Sequence, residues 1–212
     1  MQPAGQSAST AQLSRHNLPT RLVHAGLALA VVMQLVTSLV LRPAENGSDG
    51  NLWFGVHEIC GLIAFALILL FWIVLTVRKR GTPAGLLFPW FSPVRLSALW
   101  SDVKRHANAL VRLRLPAHDD ESPLASAVHG LGIVLITAMA VTGTVYYAIG
   151  DANPDAGGVV GAAMFIHRTL SNLVWAYLIG HVGMAVRHHF FTDFSLRGMW
   201  SFHAAPKKEP MK

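Results

Sequence analysis

The chain is poor in charge: 13% of its 212 residues are Asp, Glu, Lys or Arg, against about 25% in water-soluble domains, while 52% are hydrophobic. The missing charges are concentrated in four long stretches rather than thinned evenly, which excludes an ordinary soluble domain and makes lipid the expected solvent. Cysteine is almost absent too. Cys60 stands alone, so no disulfide framework, CxxC metal pair or CxxCH attachment site can form within the chain, and the thiol reads as packing. Carboxylates are missing from the four stretches except for Glu58. No internal repeat is evident beside a leader rich in Ala, Ser and Gln.

What is present is apolar length. Leu22 to Leu41, Leu52 to Val77, Leu124 to Ile149 and Val159 to Val186 each reach the about 20 residues that cross a bilayer at about 1.5 Å per residue. None alternates with period two, and backbone amides in hydrocarbon must be satisfied within the segment, so the spans are predicted to be helices. The expected fold class is all-α: a four-transmembrane-helix bundle with an additional cytoplasmic interfacial amphipathic helix. The first span is not read as a cleaved signal, because RPAENG follows it where small residues should stand.

The net charge of +6 is explained by position and needs no nucleic-acid partner. Fifteen of the seventeen Lys and Arg precede span one, lie between spans two and three, or follow span four; only Arg42 and Arg168 fall opposite. The positive-inside rule then places both termini and the middle loop in the cytoplasm of a multi-pass protein. Residues 1 to 20 are expected to be a disordered leader, 21 to 190 the membrane domain, and 191 to 212 a cytoplasmic tail. In the middle loop, Leu96, Leu99, Trp100, Val103, Ala107, Leu110 and Val111 recur at helical spacing over Ser92 to Leu115, with Ser92 and Pro93 as N-cap and first residue. Arg95, Lys104, Arg105 and Arg112 fall largely off that stripe, as in a helix lying on an anionic leaflet.

Five of the eleven histidines, His24, His57, His129, His167 and His181, lie inside the spans, where polar side chains are costly and usually functional. Counting along the helices puts His24, His129 and His181 within about 10 Å of the inner surface and His57 and His167 about 30 Å from it. The histidines therefore form two layers. His167 and His181 share a helix, about 21 Å apart along it and within about 40° in azimuth. Zinc would normally recruit carboxylates or thiolates, which are scarce here. Haem iron needs only two axial nitrogens from facing helices. Glycines near the histidines, Gly26, Gly55, Gly61, Gly180 and Gly183, leave room for a flat ring.

The segments RLVHAGLALAV, FGVHEICGLIAF, LASAVHGLGIVL and IHRTLSNLVWAYLIGHVGMAVRHHFF resemble the bacterial cytochrome b561 family over about residues 15 to 203. The resemblance implies a bacterial inner-membrane cytochrome with two b-type haems, His24 and His181 holding the inner iron and His57 and His167 the outer. The two layers agree with that pairing and leave His129 as a third inner candidate. Arg21 and Arg187 on the inner side, and Arg42 and Arg168 on the outer, are candidate partners of haem propionates, since guanidinium matches carboxylate bidentately; their plainer role is topology and snorkelling. Gln34, Thr37, Ser38, Thr137, Thr142 and Thr144 read as helix-to-helix glue, and His188 and His189 as interfacial.

The resemblance also implies electron transfer between a quinone or quinol and a partner cytochrome or small acceptor such as superoxide. Two rival functions stay open at this point. One is a haem-bearing anchor subunit of a larger dehydrogenase, docking through Ser92 to Leu115. The other is a transporter that uses intramembrane histidines for protons or metal ions, a role in which carboxylates usually take part. The expected partners are membrane lipid, quinone, a redox protein and a second copy of the chain.

Overall fold

Each of three long helices starts where the sequence supplies a cap. Asn17 accepts from the Thr20 amide at 3.1 Å, Asn51 from that of Phe54 at 3.0 Å, and Ser122 from that of Ala125 at 3.2 Å, meeting amide donors that a helix leaves orphaned at its start. Pro19 and Pro123 occupy first-turn positions where a missing N–H costs nothing. The structure, a computed structural model, describes residues 16–44, 50–79, 81–112, 122–150, 153, 157–191 and 197–200. Its helices are α1 (Leu18–Ser38), α2 (Leu52–Val77), the short α3 (Ala84–Leu87), α4 (Pro93–Val111), α5 (Pro123–Ile149), α6 (Gly158–Phe191) and α7 (Arg197–Trp200), with one 3-10 turn at Pro89–Phe91.

Four of these, α1, α2, α5 and α6, are long and apolar enough to cross a membrane, in agreement with the four spans read from composition. Their ends differ from the hydrophobic limits. The first helix begins at Leu18, inside the stretch expected to be leader, because the Asn17 cap and Pro19 set the start. It stops at Ser38 rather than Leu41. The last helix continues past Val186 to Phe191, since Arg187, His188 and His189 are compatible with helix, and basic groups in a last turn complement the macrodipole. The amphipathic helix expected over Ser92 to Leu115 runs over Pro93–Val111. Residues 113–121, the leader through residue 15, loop residues 45–49 and the tail beyond residue 200 lie outside the described residues.

The long helices form two hairpins. α1 packs on α2 and α5 on α6, and the hairpins join through α2 against α5, whereas α1 and α6 are not packed closely together. The seam is filled by Val31, Leu35, Ile68, Phe71, Val74, Ile133, Ile136, Ala140 and Val174. Such packing must come from van der Waals fit, because lipid tails are as apolar as leucine. Leu29, Ile59, Ile73, Phe165 and Ile179 point outward and are exposed, as residues facing lipid should be. α6 is the least covered long helix: Val160, Ala163 and Val174 alone are buried along it.

One end of the bundle is closed by the segment between α2 and α5. Gly81 turns the chain at φ 106°, a left-handed conformation that disfavours any side chain. α3 then tucks beneath α5: Leu87 is buried, and a Cβ at Gly130 would overlap its carbonyl. Phe88 stacks on Trp72 with ring centres 5.5 Å apart, and the Trp72 indole donates to the Thr137 hydroxyl at 3.0 Å. α4 is tied to α5 through buried Asp102. One carboxylate oxygen accepts from the Ser122 hydroxyl at 2.7 Å and the Leu124 amide at 3.0 Å; the other faces Arg105 at 2.7 Å and His106 at 3.1 Å. A carboxylate at a helix N-terminus is favoured by the dipole. These hydrogen bonds from Ser122 and Leu124, with Arg105 and His106, outweigh the opposing effect of burial and hold the Asp102 carboxyl below the usual carboxylate range. Leu96, Trp100 and Val111 remain exposed along α4.

Candidate functional site

A threonine on one helix of each hairpin meets a histidine on the next. Thr37 of α1 lies 2.9 Å from Nδ1 of His57 on α2, and Thr142 of α5 lies 3.0 Å from Nδ1 of His167 on α6. A hydroxyl has one proton to give. Thr37 gives it to a carbonyl of its own helix, that of Met33 at 2.7 Å, and Thr142 to that of Ala138 at 2.7 Å. Both hydroxyls must therefore accept, and both imidazoles donate from Nδ1. This assigns the tautomer from the hydrogen-bond network and leaves the Nε2 lone pair of each ring available to a metal.

The two rings so held have centres 6.4 Å apart at 78°. Glycine and amide chemistry hold them there. Gln34 donates to the His57 carbonyl at 2.8 Å, and its amide nitrogen occupies the space where a Cβ at Gly61 would stand, 2.7 Å away. A Cβ at Gly143 would come within 3.2 Å of the His167 ring, and His167 Nδ1 also faces the Met139 carbonyl at 3.1 Å.

The second pair is built differently. The His24 and His181 ring centres are also 6.4 Å apart, at 53°, yet neither histidine makes a hydrogen bond among the described residues, and Nδ1 of His24 is buried without a partner. Aromatic contacts position them instead. Tyr177, one turn before His181, stacks on its ring at 5.5 Å and 11°, and a Cβ at Gly132 would overlap the tyrosine hydroxyl. Trp200 of α7 stands edge-on to His24 at 6.0 Å. His129 stands edge-on to His181 at 5.2 Å.

Two imidazoles that bind one metal from opposite sides, each with a bond of about 2.0–2.1 Å plus roughly 1.1 Å from nitrogen to ring centre, must have their centres about 6.3 Å apart. Both 6.4 Å pairs meet that requirement. His129 and His181, at 5.2 Å, are too close to bind one metal from opposite sides. Among the described residues no three of His, Cys, Asp or Glu converge as a metal cluster. Two-nitrogen sites of this kind suit iron in a planar macrocycle, which brings four nitrogens of its own, better than a hydrated cation. There is also space for a ring, because α1 and α6 stand apart and Gly55, Gly161, Gly180 and Gly183 have open space where a Cβ would be.

The four arginines are dispersed. Arg21 is buried in the first turn of α1, whereas Arg42 after α1, Arg168 beside His167, and Arg187 near the end of α6 are exposed. Cys60 is a half-buried free thiol. Sequence reasoning treated Thr37 and Thr142 only as helix glue and passed over Tyr177. A signal was available: thirteen residues separate His24 from Thr37, and thirteen separate His129 from Thr142, so the two hairpins share a pattern that a search for longer repeats misses.

A family model described as prokaryotic cytochrome b561 matches residues 15–202. No curated protein and no solved structure matches the chain.

Proposed function

Because the chain belongs to the prokaryotic cytochrome b561 family, we propose that it carries two b-type haems, one between His24 and His181 and one between His57 and His167, and passes single electrons between a quinone or quinol and a redox partner. The coarser statement follows from the family and the four long apolar helices: this is a multi-pass membrane b-type cytochrome of electron transfer. The finer reading is carried by one observation, the two imidazole pairs at a common 6.4 Å separation on facing helices. Bound haem supplies a reversible one-electron change at iron, while the protein's part is to hold, orient and tune it.

In this reading the four histidines would hold the two irons. Thr37 and Thr142 keep Nε2 of His57 and His167 turned to the iron, and the glycines admit the ring. Arg21 and Arg187 serve the propionates of one haem and Arg42 and Arg168 those of the other. His129 packs against His181 without ligating. α4 lies on an anionic leaflet, its exposed Leu96 and Trp100 toward acyl chains and its basic residues toward headgroups. The purified protein should yield two haems per chain by pyridine extraction, all non-covalent because CxxCH is absent from the sequence. A folded sample without haem contradicts the reading.

The charge distribution supports a bacterial inner-membrane topology with both termini cytoplasmic. Reporters fused after Lys212 or inserted near Asp102 should be active only as cytoplasmic fusions, and one near Asp155 only as an external fusion. The reverse pattern would exchange the inner and outer assignments of the two sites.

A further inference from the structure

The two histidine pairs differ in one respect that their shared spacing conceals. His57 and His167 each donate Nδ1–H to a threonine hydroxyl, at 2.9 and 3.0 Å, whereas His24 and His181 have no hydrogen-bond acceptor among the described residues. We propose that Thr37 and Thr142 are positioning residues that lower the reduction potential of the His57/His167 site selectively, so that the chain sets its two haems apart by hydrogen bonding to one ligand pair. The proposal rests on the haem reading of these sites.

Ligand basicity links the threonines to the iron. An imidazole whose N–H is engaged by an acceptor gains imidazolate character and becomes a stronger donor through its other nitrogen. A stronger donor favours the more positive oxidised iron and so lowers the potential. Both threonine hydroxyls have spent their proton on their own helix, at Met33 and Ala138. With that proton engaged, each hydroxyl accepts from the ring, so the effect has one sign. Thr37 is fully buried, which keeps water from substituting as acceptor. The two sites are not equally protected against its loss: His167 retains the Met139 carbonyl at 3.1 Å, while no second acceptor for the His57 ring is seen among the described residues. Tyr177 stacked on His181 fixes that ring without accepting its proton.

The test is a redox titration of the purified, haem-loaded protein, following the two haems separately. Thr37→Val should raise the midpoint of the haem that His57→Ala removes and leave the other in place. Thr142→Val should move the same haem in the same direction but less, and Thr37→Ser, which restores a hydroxyl, should return it toward the original midpoint. If Thr37→Val expels that haem alone while Thr37→Ser keeps it, the positioning role is supported by retention instead. Two haems with unchanged midpoints in both valine variants, or equal shifts of both haems, would overturn the proposal and leave the haem reading intact. Absence of haem from the unsubstituted protein would remove the reading itself.

Discussion

Replacing His57 or His167 with alanine should each deplete one haem and leave the spectrum of the other largely intact, and His24→Ala or His181→Ala should do the reverse. The expectation follows from loss of one of only two axial nitrogens at a site, with the second site about 21 Å farther along α6. Difference spectra and pyridine extraction of the four purified variants read it directly. His129→Ala is the control. Its 5.2 Å approach to His181 is too short for the two rings to bind one iron from opposite sides, so both haems should remain, with a stability loss of about 1 kcal/mol, the scale of a polar contact between membrane helices. Loss of the His181 haem in His129→Ala, with retention in His24→Ala, would transfer the ligand role from α1 to α5.

The second large effect is expected far from the histidines. Asp102→Ala removes the acceptor for the Ser122 hydroxyl and the Leu124 amide and the carboxylate partner of Arg105, while His106 keeps the residue-102 carbonyl at 2.9 Å. A lost cap costs about 0.5–2 kcal/mol and a hydrogen bond to a charged group about 1.5–3 kcal/mol. The variant should therefore be about 2–4 kcal/mol less stable and should release α4 to proteolysis. The pH dependence has a definite sign. The Asp102 carboxyl is held below its ordinary value by those donors, so its contribution is complete above the unfolded value of about 3.9 and is lost as pH falls through the lower folded value. Asp102→Asn should flatten that acid limb in thermal melts, and an unchanged limb would assign acid sensitivity elsewhere.

The four spans were legible because hydrocarbon permits few charges, so composition alone marks them to within a few residues. Histidine depth was legible for the same reason: rise per residue is fixed, and counting places His24 and His181 at one level and His57 and His167 at another. Rotation about the helix axis was not. Whether Thr37 looks toward His57 or toward lipid depends on how α1 is turned against α2, and both faces of α1 are apolar enough to be buried. Asp102 escaped notice because its partners Ser122 and Leu124 lie twenty and more residues along the chain, across a loop whose path sequence does not specify. His129 stayed undecided at the sequence level because depth alone cannot separate it from His24.

One helix supplies a ligand to each proposed site, and α6 is continuous from Gly158 to Phe191 without an internal proline. Electron tunnelling falls exponentially with distance, so a gap that breathes with loose helix packing would make transfer erratic. With haems at the proposed sites, the span between the two irons would be tied to fourteen residues of hydrogen-bonded backbone, from His167 to His181, rather than to contacts between helices. Even if the hairpins shifted against one another in lipid, that span would stay nearly constant, so under the proposed function this single rod would act as a molecular ruler for the rate of electron passage between the two sites.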